Sequence, residues 1–358
     1  MAIEDQIKEI EEEIRDTPYN KASQHHIGKL KAKLAKLKQD QQKGASVGHA
    51  QSLGYGLRKY GDATVLFAGF PSVGKSTLLN ALTNAKSEVA AYEFTTLTVV
   101  PGVMKYKHSN LQLFDIPGLV EGASQGKGRG REVLSVMRIA DLIIFVFDAN
   151  KPEQLNKMRH ELDEANIRLD QAPPQVVIKK KTIGGVQVDK VSKAGIDNEA
   201  IRDVLNEFGI HNAYVSIKEP ITIDQFIDVV TGNRKYVPTL AVMNKIDSVK
   251  KLPSVGNCVK ISALNGEGLD ELREAIFQKL RFIRIYLKRH GKKADLEEPL
   301  IMKEGCTVED VCLRLHKSFR DNFRYAELNG PSAKFDNQKV HLRHVLKDKD
   351  IICIFKKD

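Results

Sequence analysis

Between positions 1 and 43, isoleucine and leucine recur at three- and four-residue intervals in two runs. Ile3, Ile7, Ile10 and Ile14 make the first run; Ile27, Leu30, Leu34 and Leu37 make the second. That spacing is the signature of a helix with one apolar stripe. Asp16, Thr17, Pro18, Tyr19 and Asn20 interrupt it, which predicts two helices joined by a turn. The first run is acidic, and the second carries Lys29, Lys31, Lys33, Lys36 and Lys38. An antiparallel hairpin would join the stripes and let the opposite charges face each other. The lysines are then expected to pair within the hairpin rather than to form an RNA-binding arm.

The glycine-rich stretch 44–60 reads as a linker with a short helix. From position 63 the pattern changes. Short, mainly apolar runs at 64–68, 111–114, 142–147 and 239–243 are separated by helical stretches such as 76–82. Runs without polar alternation are buried on both faces, so they predict an α/β fold built on a mostly parallel sheet. Residues 171–237 break the rhythm. They suggest a small α+β insertion with a hairpin around Gly184 and Gly185, helices near 201–208 and 223–230, and a strand near 213–217. From Phe282, Ile283, Ile285 and Leu287 alternate with Arg284, Tyr286 and Lys288, the period of a half-buried strand. Thr307 and Asp310 form a capping-box pattern, and 289–358 reads as a small β-rich domain with one helix. The expected division is 1–60 helical, 61–170 with 238–281 as the main domain, 171–237 as the insertion and 282–358 as the last domain.

Composition adds limits. Of 358 residues, 42% are hydrophobic and 28% charged, which excludes a disordered, fibrous or disulfide-stapled chain. No apolar run reaches the ~18 residues of a membrane span. The acidic start has no apolar core, so no signal peptide is expected and a cytoplasmic location is. Cys258, Cys306, Cys312 and Cys353 form no CxxC pair, which argues for free thiols rather than zinc. The net charge of +10 points to an anionic partner. Residues 279–293 hold seven basic side chains and no acidic one, so most of the excess gathers at one junction.

The chemistry lies in three ordered motifs. The stretch Gly69-Phe70-Pro71-Ser72-Val73-Gly74-Lys75-Ser76-Thr77 fits G-x-x-x-x-G-K-[ST] between a strand and a helix. Its glycines admit a backbone turn whose N–H groups face phosphates, and the helix N-terminus adds a favourable dipole. Lys75 is expected to meet the β- and γ-phosphates, and the Ser76 hydroxyl to ligate Mg²⁺. Asp115 and Gly118 form D-x-x-G at a strand end, with Asp115 toward Mg²⁺ and the Gly118 N–H toward the γ-phosphate. Asn244-Lys245-Ile246-Asp247 follows a third strand. A carboxylate at Asp247 can accept the adjacent N1–H and N2 donors of guanine, which adenine lacks. Lys245 can lie over the base plane, and Asn244 can tie this loop to the first. Ser262, Ala263 and Leu264 fit a backbone contact to the guanine oxygen. Together the motifs imply GTP and GDP as ligands.

The order of these motifs resembles a translation-factor-class GTPase. The stretch Glu93-Phe94-Thr95-Thr96-Leu97-Thr98 with the run Asp115-Ile116-Pro117-Gly118-Leu119 resembles the Obg-related group. The basic loop Gly126–Arg131 and the late insertion narrow it: they resemble the developmentally regulated GTP-binding protein (DRG) family, over nearly the whole chain. The resemblance implies a P-loop GTPase domain, an insertion like domain 2 of ribosomal protein S5, and a C-terminal β-grasp TGS domain. It implies a switch I pair at Thr95 and Thr96, with Thr96 chosen as the residue on Mg²⁺ and the γ-phosphate. It makes Lys75, Thr96 and Gly118 the catalytic set, and 126–131 part of switch II. Leu119 stands where Ras-like enzymes place the water-orienting glutamine, so intrinsic hydrolysis is expected to be slow. Potassium is a candidate activator, although Ser72 stands where potassium-binding relatives have Asn. The resemblance also implies a ribosomal role, with Arg284, Lys288 and Arg289 as an expected contact to ribosomal RNA, and a regulatory protein partner of the kind eukaryotic relatives have. The alternative is a ribosome- or RNA-binding scaffold in which GTP is mainly a structural ligand.

Overall fold

The structure, a computed structural model, describes residues 3–18, 23–44, 61–83, 100–115, 137, 139–164, 167–191, 195–232, 234–292 and 294–357. The chain opens with α1 (Ile3–Asp16), α2 (Gln24–Gly44), β1 (Ala63–Ala68), α3 (Lys75–Leu82), β2 (Val100–Tyr106), β3 (Ser109–Asp115), β4 (Leu142–Asp148) and α4 (Gln154–Glu164). Next come β5 (Ile167–Leu169), β6 (Val176–Lys180), β7 (Val186–Lys190), α5 (Asn198–Glu207), β8 (Ala213–Ile217), α6 (Ile223–Thr231) and β9 (Lys235–Val237). The remainder is β10 (Thr239–Asn244), β11 (Val259–Lys260), α7 (Leu269–Lys279), β12 (Phe282–Leu287), β13 (Leu300–Lys303), α8 (Val308–Leu315), α9 (Lys317–Asp321), β14 (Phe323–Asn329), β15 (Gln338–Val340) and β16 (Asp350–Lys356). Two compact units result: residues 1–54 with 166–236, and 55–165 with 237–358.

In the first unit the helical pair packs on the inserted segment. Ala32 of α2 is fully buried in a core with Ile201, Leu205, Val215 and Phe226. The lysine run is divided accordingly. Lys38 reaches Glu11 at 2.7 Å, and His26 meets Glu13 at 2.9 Å, both within the helical pair. Lys31 instead pairs with Asp224 at 2.8 Å, and the Lys36 ammonium donates to the Glu207 carbonyl at 2.6 Å. The pairing expected within the hairpin is therefore shared with the insertion. The hairpin expected around Gly184 and Gly185 does not form: the strand order is β6-β8-β7, with β8 antiparallel to β6 and parallel to β7. The reason is burial. Ala213, Val215 and Ile217 of β8 form the best-buried row, so β8 takes the centre and the more polar strands take the edges. Asp228 is almost fully buried and held by Arg168 at 2.7 Å and Arg234 at 2.6 Å, a compensation that a buried carboxylate requires.

The second unit contains the six-stranded sheet, in the order β11-β10-β4-β1-β3-β2. All its pairings are parallel except that of β2 with β3. Val65, Phe67, Leu113, Ile144 and Val242 are fully buried, as expected of mainly apolar central strands covered on both faces. The parallel strands β1, β3, β4 and β10 end at Ala68, Asp115, Asp148 and Asn244, so the loops leaving this edge converge. Strand β2 was not legible beforehand. It is built by a tight turn at Lys107 and His108, whose φ values of 48° and 67° are left-handed.

The C-terminal part of this unit is a five-stranded sheet in the order β13-β12-β16-β14-β15. Ile283, Ile285, Ala326, Leu328 and Ile352 share a core with Val308, Val311 and Cys312 of α8. The expected capping box is present: Thr307 accepts from the Asp310 N–H, and Asp310 accepts from the Thr307 N–H. Two helices stand where one was expected. The chain breaks at His316, whose ring Nδ1 accepts from the Ser318 N–H at 3.1 Å and caps α9. The four cysteines are free, and burial pushes the Cys306 and Cys312 thiols up to about 11.

Candidate nucleotide site

Strand β1 delivers the chain into a loop that no ordinary turn could replace. A Cβ at Gly69 would collide with the Val146 carbonyl, and one at Gly74 with the Asn244 amide. Ser72 and Gly74 have φ of 62° and 91°, so the loop alternates hand before α3 begins at Lys75. Such alternation turns successive N–H groups inward and makes an anion nest. The Lys75 side chain crosses this nest. Its ammonium donates to the Gly69 and Phe70 carbonyls, each at 3.0 Å, and the residue is only 8% exposed. Burial lowers its pKa from the ordinary lysine value, while the charge of Asp115 acts the other way. A cation stripped of water in this way gains strongly from an arriving phosphate.

One residue on, the Ser76 hydroxyl donates to Asp115 Oδ2 at 2.6 Å. Asp115 is 6% exposed, and its other oxygen, Oδ1, is buried without a hydrogen-bond partner. An unsatisfied buried carboxylate oxygen is costly. Beside a hydroxyl it is the hard-oxygen donor set that Mg²⁺ takes. These two residues therefore fit the metal expected of them.

Asn244 joins the loops. Its side-chain Nδ2 donates to the Val73 carbonyl at 2.8 Å, and its Oδ1 accepts from the Ala263 N–H at 3.0 Å. Both bonds are buried, so each one is costly to lose. The result is one cavity of about 450 Å³. Ser72, Gly74, Lys75, Ser76 and Thr77 line one end; Asn244, Lys245, Asp247, Ala263 and Leu264 line the other. Asp247 is exposed on that wall, and Leu264 is 80% exposed at its rim. Three residues expected at the site sit beside the lining: Pro71 is exposed, Val73 is buried beneath the loop, and Ser262 accepts from the Asn265 N–H at 3.2 Å to shape its turn. The Ala263 amide already serves Asn244, so a guanine oxygen would have to share it. Thr95, Thr96, Gly118, Leu119 and residues 126–131 lie outside the described residues.

Arg284, Lys288 and Arg289 lie far along the chain, on and after β12. Arg284 is clamped by Asp348, through Nε at 3.1 Å and Nη2 at 2.6 Å. Hydrogen bonding to Asp348 raises the Arg284 pKa, and Arg284 lowers that of Asp348 in return. A guanidinium with one edge committed has fewer donors for a phosphate, which counts against the contact expected of Arg284. Lys288 is half-buried and Arg289 exposed.

Sequence reasoning missed Asp148. It ends β4, in register with Asn244 at the end of β10, and its Oδ2 lies 2.9 Å from the Lys245 ammonium. A carboxylate at the carboxyl end of a central parallel strand was the available signal.

A mostly parallel sheet bearing this phosphate loop, the Asp115 strand end and the Asn-Lys-Ile-Asp loop defines a P-loop GTPase. Family models agree: "50S ribosome-binding GTPase" matches residues 64–180, "C-terminal region of MMR_HSR1 domain" matches 183–282, and "TGS domain" matches 283–356. A GTP-binding protein of Methanocaldococcus jannaschii is 54% identical over 99% of this chain and 93% of its own. Developmentally-regulated GTP-binding protein 1 of Xenopus laevis is 45% identical, with 98% of each chain covered. The homologue of that protein in Dictyostelium discoideum is 44% identical, with all of both chains covered. The solved YchF GTPase of Schizosaccharomyces pombe aligns with 83% of this chain and 99% of its own, at 17% identity and a TM-score of 0.45. The chain belongs to the developmentally regulated GTP-binding protein family.

Proposed function

We propose that this protein hydrolyses GTP to GDP and phosphate as a molecular switch in translation or ribosome function. The observation that carries the nucleotide reading is the Asn244 strap, which joins the phosphate loop to the base loop around one cavity, while Ser76 ties the Asp115 strand end to the phosphate loop. The nest at 69–74 and Lys75 bind the β- and γ-phosphates. Asp247 selects guanine by accepting its paired donors, and Lys245 covers the base. Ser76 and Asp115, together with Thr96, would hold Mg²⁺, which when bound would supply positive charge to offset that of the phosphates. The Gly118 N–H senses the γ-phosphate. Leu119 has no hydrogen bond to offer a water, so turnover is slow until a partner or a monovalent cation assists.

The ribosomal half of the proposal rests on charge. The seven basic residues of 279–293 lead into the TGS domain. Lys288 and Lys292 line a cavity of about 710 Å³ there, together with Asn329 and Asn337. The same sheet carries Tyr325 stacked on Phe355 at 4.6 Å, with the Lys339 ammonium 4.8 Å from the Tyr325 ring centre. Cations beside aromatic rings suit RNA. The domain division proposed is 1–60 helical, 61–170 with 238–281 as the GTPase domain, 171–237 as the S5-like insertion and 282–358 as the TGS domain. Ribosome pull-down with GDP and with a non-hydrolysable GTP analogue tests the switch. Binding that differs between the two supports it; equal binding favours the scaffold.

A further inference from the structure

Behind the base end of the cavity lies a polar network that no nucleotide contact explains. Asp148 does not line the cavity; it stands behind Lys245, which does. The Asp148 side chain is 14% exposed. Its Oδ2 meets the Lys245 ammonium at 2.9 Å. Its Oδ1 accepts from the Asn150 backbone N–H at 2.9 Å and from Asn150 Nδ2 at 3.0 Å. Asn150 Nδ2 also donates to Ser248 Oγ at 3.0 Å, and that hydroxyl donates to the Lys245 carbonyl at 2.8 Å. The ring is closed: it grips Lys245 at its ammonium and at its backbone.

The backbone grip matters because Lys245 has φ of 62°, a left-handed conformation that a lysine adopts at a cost. The ammonium grip matters because a free lysine side chain samples many rotamers, and fixing it before binding removes that entropy from the binding step. Desolvation pushes the Asp148 carboxyl up, yet hydrogen bonds from Lys245 and Asn150 bring it below the usual carboxylate value. It is therefore an anion at neutral pH.

We infer that Asp148 is a positioning residue for guanine recognition, holding the Lys245 stem where the base plane arrives and so raising affinity for the base but not for the phosphates. The inference rests on the guanine-site reading above. Asp148→Asn keeps the shape and removes the charge. Titration of GDP and of inorganic tripolyphosphate into wild type and variant separates the two ends of the cavity. The expected result is a loss of about tenfold for GDP, the size of one charge-assisted hydrogen bond, with tripolyphosphate unchanged. In a Lys245→Met background, which keeps the stem and drops the ammonium, the same Asp148→Asn change is expected to cost nothing further. Equal losses for both ligands, or an undiminished loss in the Met background, would overturn the assignment. Asn150→Ala, on the exposed side of the ring, gives a smaller loss of the same selectivity if Asp148→Asn folds poorly; no selective loss in either variant rejects the inference. If wild type itself shows no preference for GDP over ADP, the guanine-site reading fails instead.

Discussion

At the residue scale, the site depends on atoms that are satisfied and one that is not. Asn244 spends both ends of its amide on other loops, at Val73 and Ala263. Asn244→Ala leaves a buried carbonyl and a buried N–H unpaired, which costs about 1–3 kcal/mol of stability. It also frees the base loop from the phosphate loop, so GDP affinity falls with it. Urea unfolding and GDP titration on one preparation check both. Asp115 is the opposite case, with Oδ1 unpaired. Chelating Mg²⁺ with EDTA is expected to weaken nucleotide binding by wild type about tenfold or more, and by Asp115→Asn far less. Equal sensitivity would remove Asp115 from the metal site. The phosphate loop was legible because its spacing specifies its own backbone: the glycine and lysine positions carry the geometry locally. Asp148 was not, because its partner Lys245 lies 97 residues away and only the β4–β10 register joins them.

At the scale of elements, long-range pairing decided what pattern alone could not. The apolar runs of β1, β3, β4 and β10 announced central parallel strands. The run at β6 and β7 looked like a hairpin because its true partner, β8, arrives after α5. The missed strand β2 is fastened to α7 through Glu274, which accepts from Lys107 Nζ at 2.6 Å, Tyr106 Oη at 2.7 Å and Gln278 Nε2 at 2.9 Å. Those bonds, that of Lys107 first, hold the Glu274 carboxyl at about 2 against an ordinary value of 4.5. The folded pKa is depressed, so this fastening is complete above pH 4.5 and is lost as pH falls through about 2. Melting temperature followed over that window should drop further for wild type than for Glu274→Gln. Parallel curves would mean that the cluster adds nothing.

At the scale of the whole molecule, seven of the ten net positive charges lie in one junction between the GTPase domain and the TGS domain. The nucleotide cavity depends on local geometry and on Lys75 instead. If that junction meets ribosomal RNA, Lys288→Ala with Arg289→Ala flattens the salt dependence of ribosome binding by about one unit for each lost phosphate contact. An unchanged slope would assign the charge to solvation. Arg284→Ala, with its guanidinium already on Asp348, is expected to change stability more than the slope. The fold class was legible from apolar runs and motif order, whereas the packing of the N-terminal helices on the insertion depends on small residues such as Ala32, which carry no pattern of their own. The central claim is that three separated motifs make one guanine-specific site. Equilibrium titration of GDP against ADP, in Mg²⁺, tests it most directly. Preference for GDP by at least about a hundredfold is the predicted result, because adenine leaves Asp247 without its paired donors; equal affinity for the two nucleotides would contradict it.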